Sequence, residues 1–195
     1  MKAVKITIRE ASTMSLEKVY EYFRNYDKQT YQIFACMGNE PSEQDILDFE
    51  NQYGIALPAD FREFTMSPLG GLYMEVREDL WPRAKAYDIG PFWSFCRGII
   101  VYGIADHIPD FLDIRQKTKE LRENGFPDLI PFLSVIGNGD DIFCFDQNGK
   151  IVLLDYYETG KAAPVEGTFS DCLLAQIAEL EERKNRKLRG EDRTH

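Results

Sequence analysis

The stretch Ser42-Glu43-Gln44-Asp45-Ile46-Leu47-Asp48-Phe49-Glu50-Asn51-Gln52-Tyr53-Gly54, followed by Leu57-Pro58-Ala59-Asp60-Phe61-Arg62-Glu63, decides how this chain folds. Ser42 and Asp45 have the spacing of a capping box, and Ile46, Phe49 and Tyr53 fall on one helical face. Gly54 stops that helix. Leu57-Pro58 turns the chain into a second start, for which Asp60 is the expected N-cap and Glu63 its box partner, and Gly70-Gly71 closes the unit. Glu50 sits beside Phe49 on an otherwise inward face. A carboxylate there needs partners, so it is expected to accept hydrogen bonds from loop backbone or an arginine.

Outward from this unit, Ile142-Phe143-Cys144-Phe145-Asp146 and Lys150-Ile151-Val152-Leu153-Leu154-Asp155 flank Gln147-Asn148-Gly149. Two β-prone runs around Asn-Gly predict a hairpin, with both turn residues at positive φ. Ahead of it, Gly137-Asn138-Gly139-Asp140-Asp141 reads as a turn in which Asp140 or Asp141 accepts backbone N–H bonds. The turn lacks the Gly-Lys-Ser/Thr ending of a phosphate loop and the twelve-residue calcium pattern with its closing Glu.

Taken in order, SEQDILDFENQYGIALPADFREFT, Gly70-Gly71, IGNGDDIFCFDQNGKIV and TFSDCLLAQI resemble the SUKH superfamily, which joins fungal cell-wall-synthesis regulators with bacterial immunity proteins. The resemblance spans roughly Ser42 to Ile177, with Trp81 to Pro127 outside its pattern. It rests on Phe49-Glu50, Leu57, Pro58, Asp60, Gly70, Gly71, Gly137 to Asp146, and Phe169 with Leu173. These are structural positions, and none is a catalytic signature.

The remaining segments predict an α+β fold: a twisted, mostly antiparallel sheet of about six strands with helices packed on it, in one domain over residues 1–195. Val4, Ile6 and Ile8 alternate as an edge strand would. Leu16 to Phe34 keep three-to-four apolar spacing, which predicts a helix from Ser15 to about Cys36. Helices over Glu43 to Tyr53 and Phe61 to Met66 precede strands at Leu72 to Arg77, Ala86 to Ile89 and Phe92 to Tyr102, with Arg97-Gly98 as a bulge. Asp110 caps a helix to Glu123, and Leu129 to Ile136 is a strand despite Pro131. Gly160 to Gly167 reads as a loop, and Ser170 as the cap of a final helix. The core runs from about residue 15 to 181. Beyond it Glu182 pairs with Arg186, and the polar tail is expected to fray.

Composition narrows the function. With 33 acidic and 23 basic residues, net charge −10 and pI near 4.8, the chain argues against nucleic acid and for a basic protein partner. No apolar run approaches the roughly 18 to 20 residues that cross a bilayer, and the first residues lack a signal-peptide core, so a cytoplasmic setting without membrane contact is expected. Cys36, Cys96, Cys144 and Cys172 have no paired spacing and read as reduced packing residues. His107 is the only histidine besides the C-terminal His195, and the usual zinc spacings are missing, so no catalytic residue, metal or cofactor is assigned.

The candidate contact residues are the aromatic anchors Tyr73, Trp81 and Trp93, with the carboxylates Glu75, Glu78, Asp79, Asp140 and Asp141. The resemblance implies a non-catalytic immunity protein that occludes a toxin domain of nuclease or deaminase type. The alternative it implies is a regulator or scaffold with no toxin partner. An enzyme of unrecognised chemistry would instead show a deep pocket with acids converging on His107.

Overall fold

The computed structural model describes residues 8–192. Helix α1 spans Ile8–Asn25, so of the expected N-terminal strand Ile8 is helical and the first seven residues lie outside the described ones. The helix does not reach Cys36. Asp27 ends it by turning the chain, its carbonyl accepting from Thr30 and Tyr31 N–H at 3.1 and 2.9 Å and its Oδ1 from Gln29 N–H at 2.8 Å. Tyr31–Phe34 then forms strand β1. The apolar spacing that carried the helix reading past this point serves two elements in turn.

Helix α2, Glu43–Tyr53, carries the capping box of Ser42 with Asp45, and Gly54 closes it in the left-handed region at φ 68°. Helix α3, Ala59–Thr65, starts after Pro58. Strands β2 (Leu72–Val76), β3 (Gly98–Val101), β4 (Ile130–Ile136), β5 (Asp141–Phe145), β6 (Ile151–Asp155) and β7 (Lys161–Pro164) complete a seven-stranded sheet whose order is that of the chain, every pairing antiparallel. The fold is therefore α+β, with one strand more than the six expected. β7 lies in the segment read as a loop, because Lys-Ala-Ala-Pro carries no β-branched or aromatic residue to mark it.

Several expected elements change. Ala86 to Ile89 is no strand: a turn closes on itself through Asp88 N–H to Lys85 O (3.0 Å) and Lys85 N–H to Asp88 Oδ2 (2.7 Å). Phe92–Phe95 is a short 3₁₀ turn, and only Gly98–Val101 is extended. Asp110 opens another 3₁₀ turn, and α4, Ile114–Glu123, is capped by Asp113, which accepts from Arg115 N–H at 2.8 Å. The final helix α5, Phe169–Leu188, is capped by the box of Thr168 with Asp171, not by Ser170. The β5–β6 turn is the expected loop of Gln147, Asn148 and Gly149, with Gly149 N–H bonded to Asp146 O at 2.9 Å, but Gly149 alone takes positive φ, 72°, and Asn148 does not. Pro131 is accommodated by a bulge between Pro131 and Leu133.

The sheet buries both faces. Along β5, Phe143 and Phe145 join the larger core with α1, α3 and α5, while Ile142 and Cys144 pack with Leu121 of α4 and Leu154 on the other side. At the centre of the larger core Phe132 stacks on Phe145 with ring centres 4.2 Å apart, and Phe61 meets both Phe145 and Phe169 at 5.1 Å. α5 does not fray after Glu181. The Arg186 guanidinium lies 4.1 Å over the Trp93 ring, Arg183 Nε donates to Cys96 O at 3.0 Å, and Glu182 pairs with Arg189 rather than Arg186. Phe132→Ala should therefore cost about 3–5 kcal/mol in urea unfolding, whereas Phe34→Ala, on an exposed position, should stay within about 0.5 kcal/mol.

Candidate functional site

The first surface forms around the start of α3. Glu50 Oε1 accepts from Leu57 N–H at 2.8 Å and its Oε2 from Arg62 Nη1 at 2.6 Å, so one half-buried carboxylate fixes the Leu57-Pro58 turn against α2. Asp60 does not cap its own helix, where Pro58 holds the N-cap position. Buried to 5 % exposure, its Oδ2 accepts from both the N–H and the hydroxyl of Ser170 at 2.9 Å, and its Oδ1 from Phe61 N–H at 3.1 Å. It thereby supplies an acceptor to the first turn of α5, beside the Thr168 and Asp171 box. Asp146 steadies the neighbouring β5–β6 turn, its Oδ1 accepting from Asn148 and Lys150 N–H at 2.8 and 2.9 Å.

These three pieces leave an open groove of about 1020 Å³ between the α3 start, the β5–β6 turn and the chain that leads from β7 into α5. Pro58, Asp60, Asp146 and Phe169 all line it. The other glycines of the pattern serve packing elsewhere. A Cβ on Gly70 would overlap Thr65 O, and one on Gly137 would overlap Phe95 O, while Gly71 lies against Gly103.

The second surface is the one chosen from sequence, and the structure divides it. Glu75 is 1 % exposed and belongs to an internal ion network: Arg97 Nε lies 3.3 Å from its Oε2, out of line for a hydrogen bond, Arg83 Nη2 donates to its Oε1 at 3.0 Å, and Gln32 also donates to it. A Cβ on Gly98, opposite Glu75 on β3, would overlap Met74 O and the Glu75 Cβ. Trp81 is 2 % exposed with its Nε1 donating to Ser94 O at 3.1 Å. Neither Glu75 nor Trp81 has surface to offer a partner, since each is spent inside the molecule. Trp93 is half-buried under Arg186, and Tyr73 packs edge-on against Phe111. Burial, then the nearby Glu75 carboxylate, push the Tyr73 hydroxyl up to about 12.

Glu78 and Asp79 are exposed, near Arg83 and Arg77 at 3.8 and 3.4 Å. Asp140 and Asp141 are half-buried at the head of β5, three strands across the sheet from β2. There the expected roles are reversed: Asn138 Oδ1 accepts from the N–H groups of Asp140 and Asp141 at 3.0 and 3.2 Å, and Asn138 Nδ2 donates to Asp141 Oδ2 at 3.0 Å.

Sequence reasoning passed over the most exposed apolar side chains of the second surface. Tyr87 and Ile89 are 94 and 93 % exposed, and Phe92 56 %, on the loop that links β2 to β3. The buried Trp81 and the Ser94 hydroxyl bonded to Pro91 O at 2.7 Å pin its two roots, so the loop holds its apolar tip outward. Asp88 and Gly90-Pro91 are turn formers, the signal in the sequence that contradicts the strand reading of Ala86 to Ile89.

His107 is exposed in a loop beside a recess of about 210 Å³. Two carboxylates lining that recess are occupied with backbone: Glu40 accepts from Gly38 N–H and Asp45 from Ser42 N–H, at 2.8 and 2.7 Å. Among the described residues no cluster of His, Cys, Asp and Glu is placed to hold a metal ion. All four thiols are buried and unpaired, and burial raises the pKa of each, that of Cys172 to about 12, which keeps them protonated and unreactive.

The Asp60 geometry is checkable. Asp60→Ala should cost about 2–3 kcal/mol of stability, because it strands the buried donors of Ser170, and Ser170→Ala about 1 kcal/mol. In a double-mutant cycle the two should couple by about 1 kcal/mol or more, and additive effects would show that Asp60 acts within α3 alone.

A comparison with curated proteins gave no match. The model of the SMI1 / KNR4 family (SUKH-1) matches residues 40–175, from the lead into α2 through the first turns of α5, so the match contains the groove lining except Leu16, the β2–β3 loop and the six strands β2 to β7. With well over half of its length matched, this chain belongs to the SMI1 / KNR4 family (SUKH-1).

Proposed function

We propose that this SUKH-1 domain is a non-catalytic protein-binding module, and that it serves as an immunity protein that occludes a basic toxin domain of nuclease or deaminase type in the cytoplasm. The observation that carries the reading is the loop tip: Tyr87, Ile89 and Phe92 stand exposed on a loop with pinned roots. Large apolar side chains gathered in water are costly unless a partner covers them, and rigid aromatic anchors with a polar rim are what interface hot spots are made of. Glu78 and Asp79 supply acidic groups near the root of that loop. The net charge of −10 supports fast encounter with a partner whose own cleft is basic, as that of a nucleic-acid-directed toxin is. No helix among the described residues is long and apolar enough to cross a membrane.

Recovery of the tagged protein from its own cells, at low and high salt with mass spectrometry of what is bound, should yield one basic toxin-like protein whose capture weakens with salt. A stable partner without toxin activity would instead establish the regulator or scaffold reading. The Tyr87→Ala/Ile89→Ala variant should melt like the parent and bind that partner about 30-fold or more weaker, by roughly 2 kcal/mol. Undiminished binding by that variant would place the interface elsewhere.

A further inference from the structure

We propose that the groove beside α3 is a second docking site, and that it takes an extended segment of a protein partner carrying basic side chains; the proposal rests on the reading of this chain as a protein-binding module. The groove's volume of about 1020 Å³ is just above the roughly 300–1,000 Å³ usual for small-molecule sites, and it is open to solvent. Pro58, Ala59, Val152, Pro164 and Val165 give it apolar walls. A backbone laid along these walls fits better than a compact polar metabolite, which needs polar groups converging on one point.

Charge selects the occupant. Glu63 and Glu166 are exposed at the groove, and neither carboxylate has a partner among the described residues. Asp146 spends Oδ1 on the turn and its Oδ2 has no partner among the described residues, of which Lys150 is the single cation in the lining. The start of α5 opens onto the same place, where helix N–H groups would ordinarily draw an anion. Here the N–H groups of Ser170 and Asp171 are already served, by Asp60 and by the Thr168 hydroxyl. The groove thus offers open carboxylates, while carboxylate and hydroxyl oxygens of the chain itself already occupy two of the donors at that helix end, which favours arginine and lysine over phosphate or an acidic peptide.

The walls are set before any ligand arrives. Glu50 fixes the turn before Pro58, and Asp146 fixes the turn at Gly149, so little ordering accompanies binding. β7 ends the sheet, its outer edge without a strand partner among the described residues, close to one wall. Main-chain groups are therefore within the occupant's approach, while Pro164, which has no N–H, prevents full strand addition and leaves recognition to side chains.

The test is a titration of the full chain, ¹⁵N-labelled, with a short synthetic peptide alternating arginine and valine and with its glutamate counterpart. The arginine peptide should shift the amides of Gly149, Val165, Glu166 and Gly167 and leave the Tyr87 loop unmoved, and the glutamate peptide should shift none. Glu63→Lys/Glu166→Lys, at two exposed positions, should weaken the arginine peptide about tenfold or more while the melting temperature holds; the milder Glu63→Gln/Glu166→Gln should weaken it in the same direction. Equal binding of both peptides, shifts centred on the Tyr87 loop, or indifference to charge reversal would overturn the proposal. Capture of the partner by the unaltered protein reports separately on the reading beneath it: intact capture with failed peptide binding removes the groove alone, and absent capture removes both.

Discussion

The architecture depends on one buried carboxylate. Asp60 sits in a water-excluded position where an unsatisfied charge would cost several kcal/mol, and it is tolerated because Ser170 and Phe61 bring it three donors. Those donors belong to the first turns of two helices that meet only in the folded chain. Satisfying Asp60 therefore sets α3 and α5 side by side, which puts Phe61, Phe64 and Phe169 together over Phe132 and Phe145. The same closure shapes the groove, since two of the three pieces around it are the segments that the carboxylate joins.

What was legible in the sequence was local. Ser42, Asp45 and Gly54 act on neighbours within one helix, and the residues that cap and stop α2 could be read in order. The partners of Glu50 were foreseeable in kind, because a carboxylate on an apolar face must find donors nearby. Asp60 was read as a local cap because its spacing allowed that, and nothing in the sequence points from residue 60 to residue 170. The edge strands failed for different reasons: β1 continues the apolar spacing of the helix before it, and β7 has no apolar pattern at all. In both cases pairing with a neighbouring strand overrides what the segment signals alone.

The candidate surfaces were legible in chemistry but not in placement. Glu75 and Trp81 have the residue types of an interface, yet the same properties, a charge with a planar match in arginine and a large ring with one donor, also make good internal groups. Burial decides between the two uses, and burial is set by Arg97, Arg83 and Ser94, which lie in segments whose course the sequence did not reveal. The chemistry missed in the β2–β3 loop was missed because Tyr87 and Ile89 were assigned to a strand, which hid their exposure.

The strictly sequential order of the sheet bears on how the chain acquires its structure. Each strand pairs with the one before it, so β4 through β7 can zip up through short connections at small loop-closure entropy. Three closures span much longer stretches, from Phe34 to Leu72, from Val76 to Gly98 and from Val101 to Ile130, and these carry helices α2 and α3, the loop of Tyr87 and helix α4. The docking of α5 comes last, because Asp60 waits for Ser170 and Ser15 for Asp171. Until α5 has left the ribosome and docked, Phe61, Phe132 and Phe145 lack their lid, and a nascent chain paused before Phe169 displays the sticky centre of the molecule to chaperones and to its neighbours.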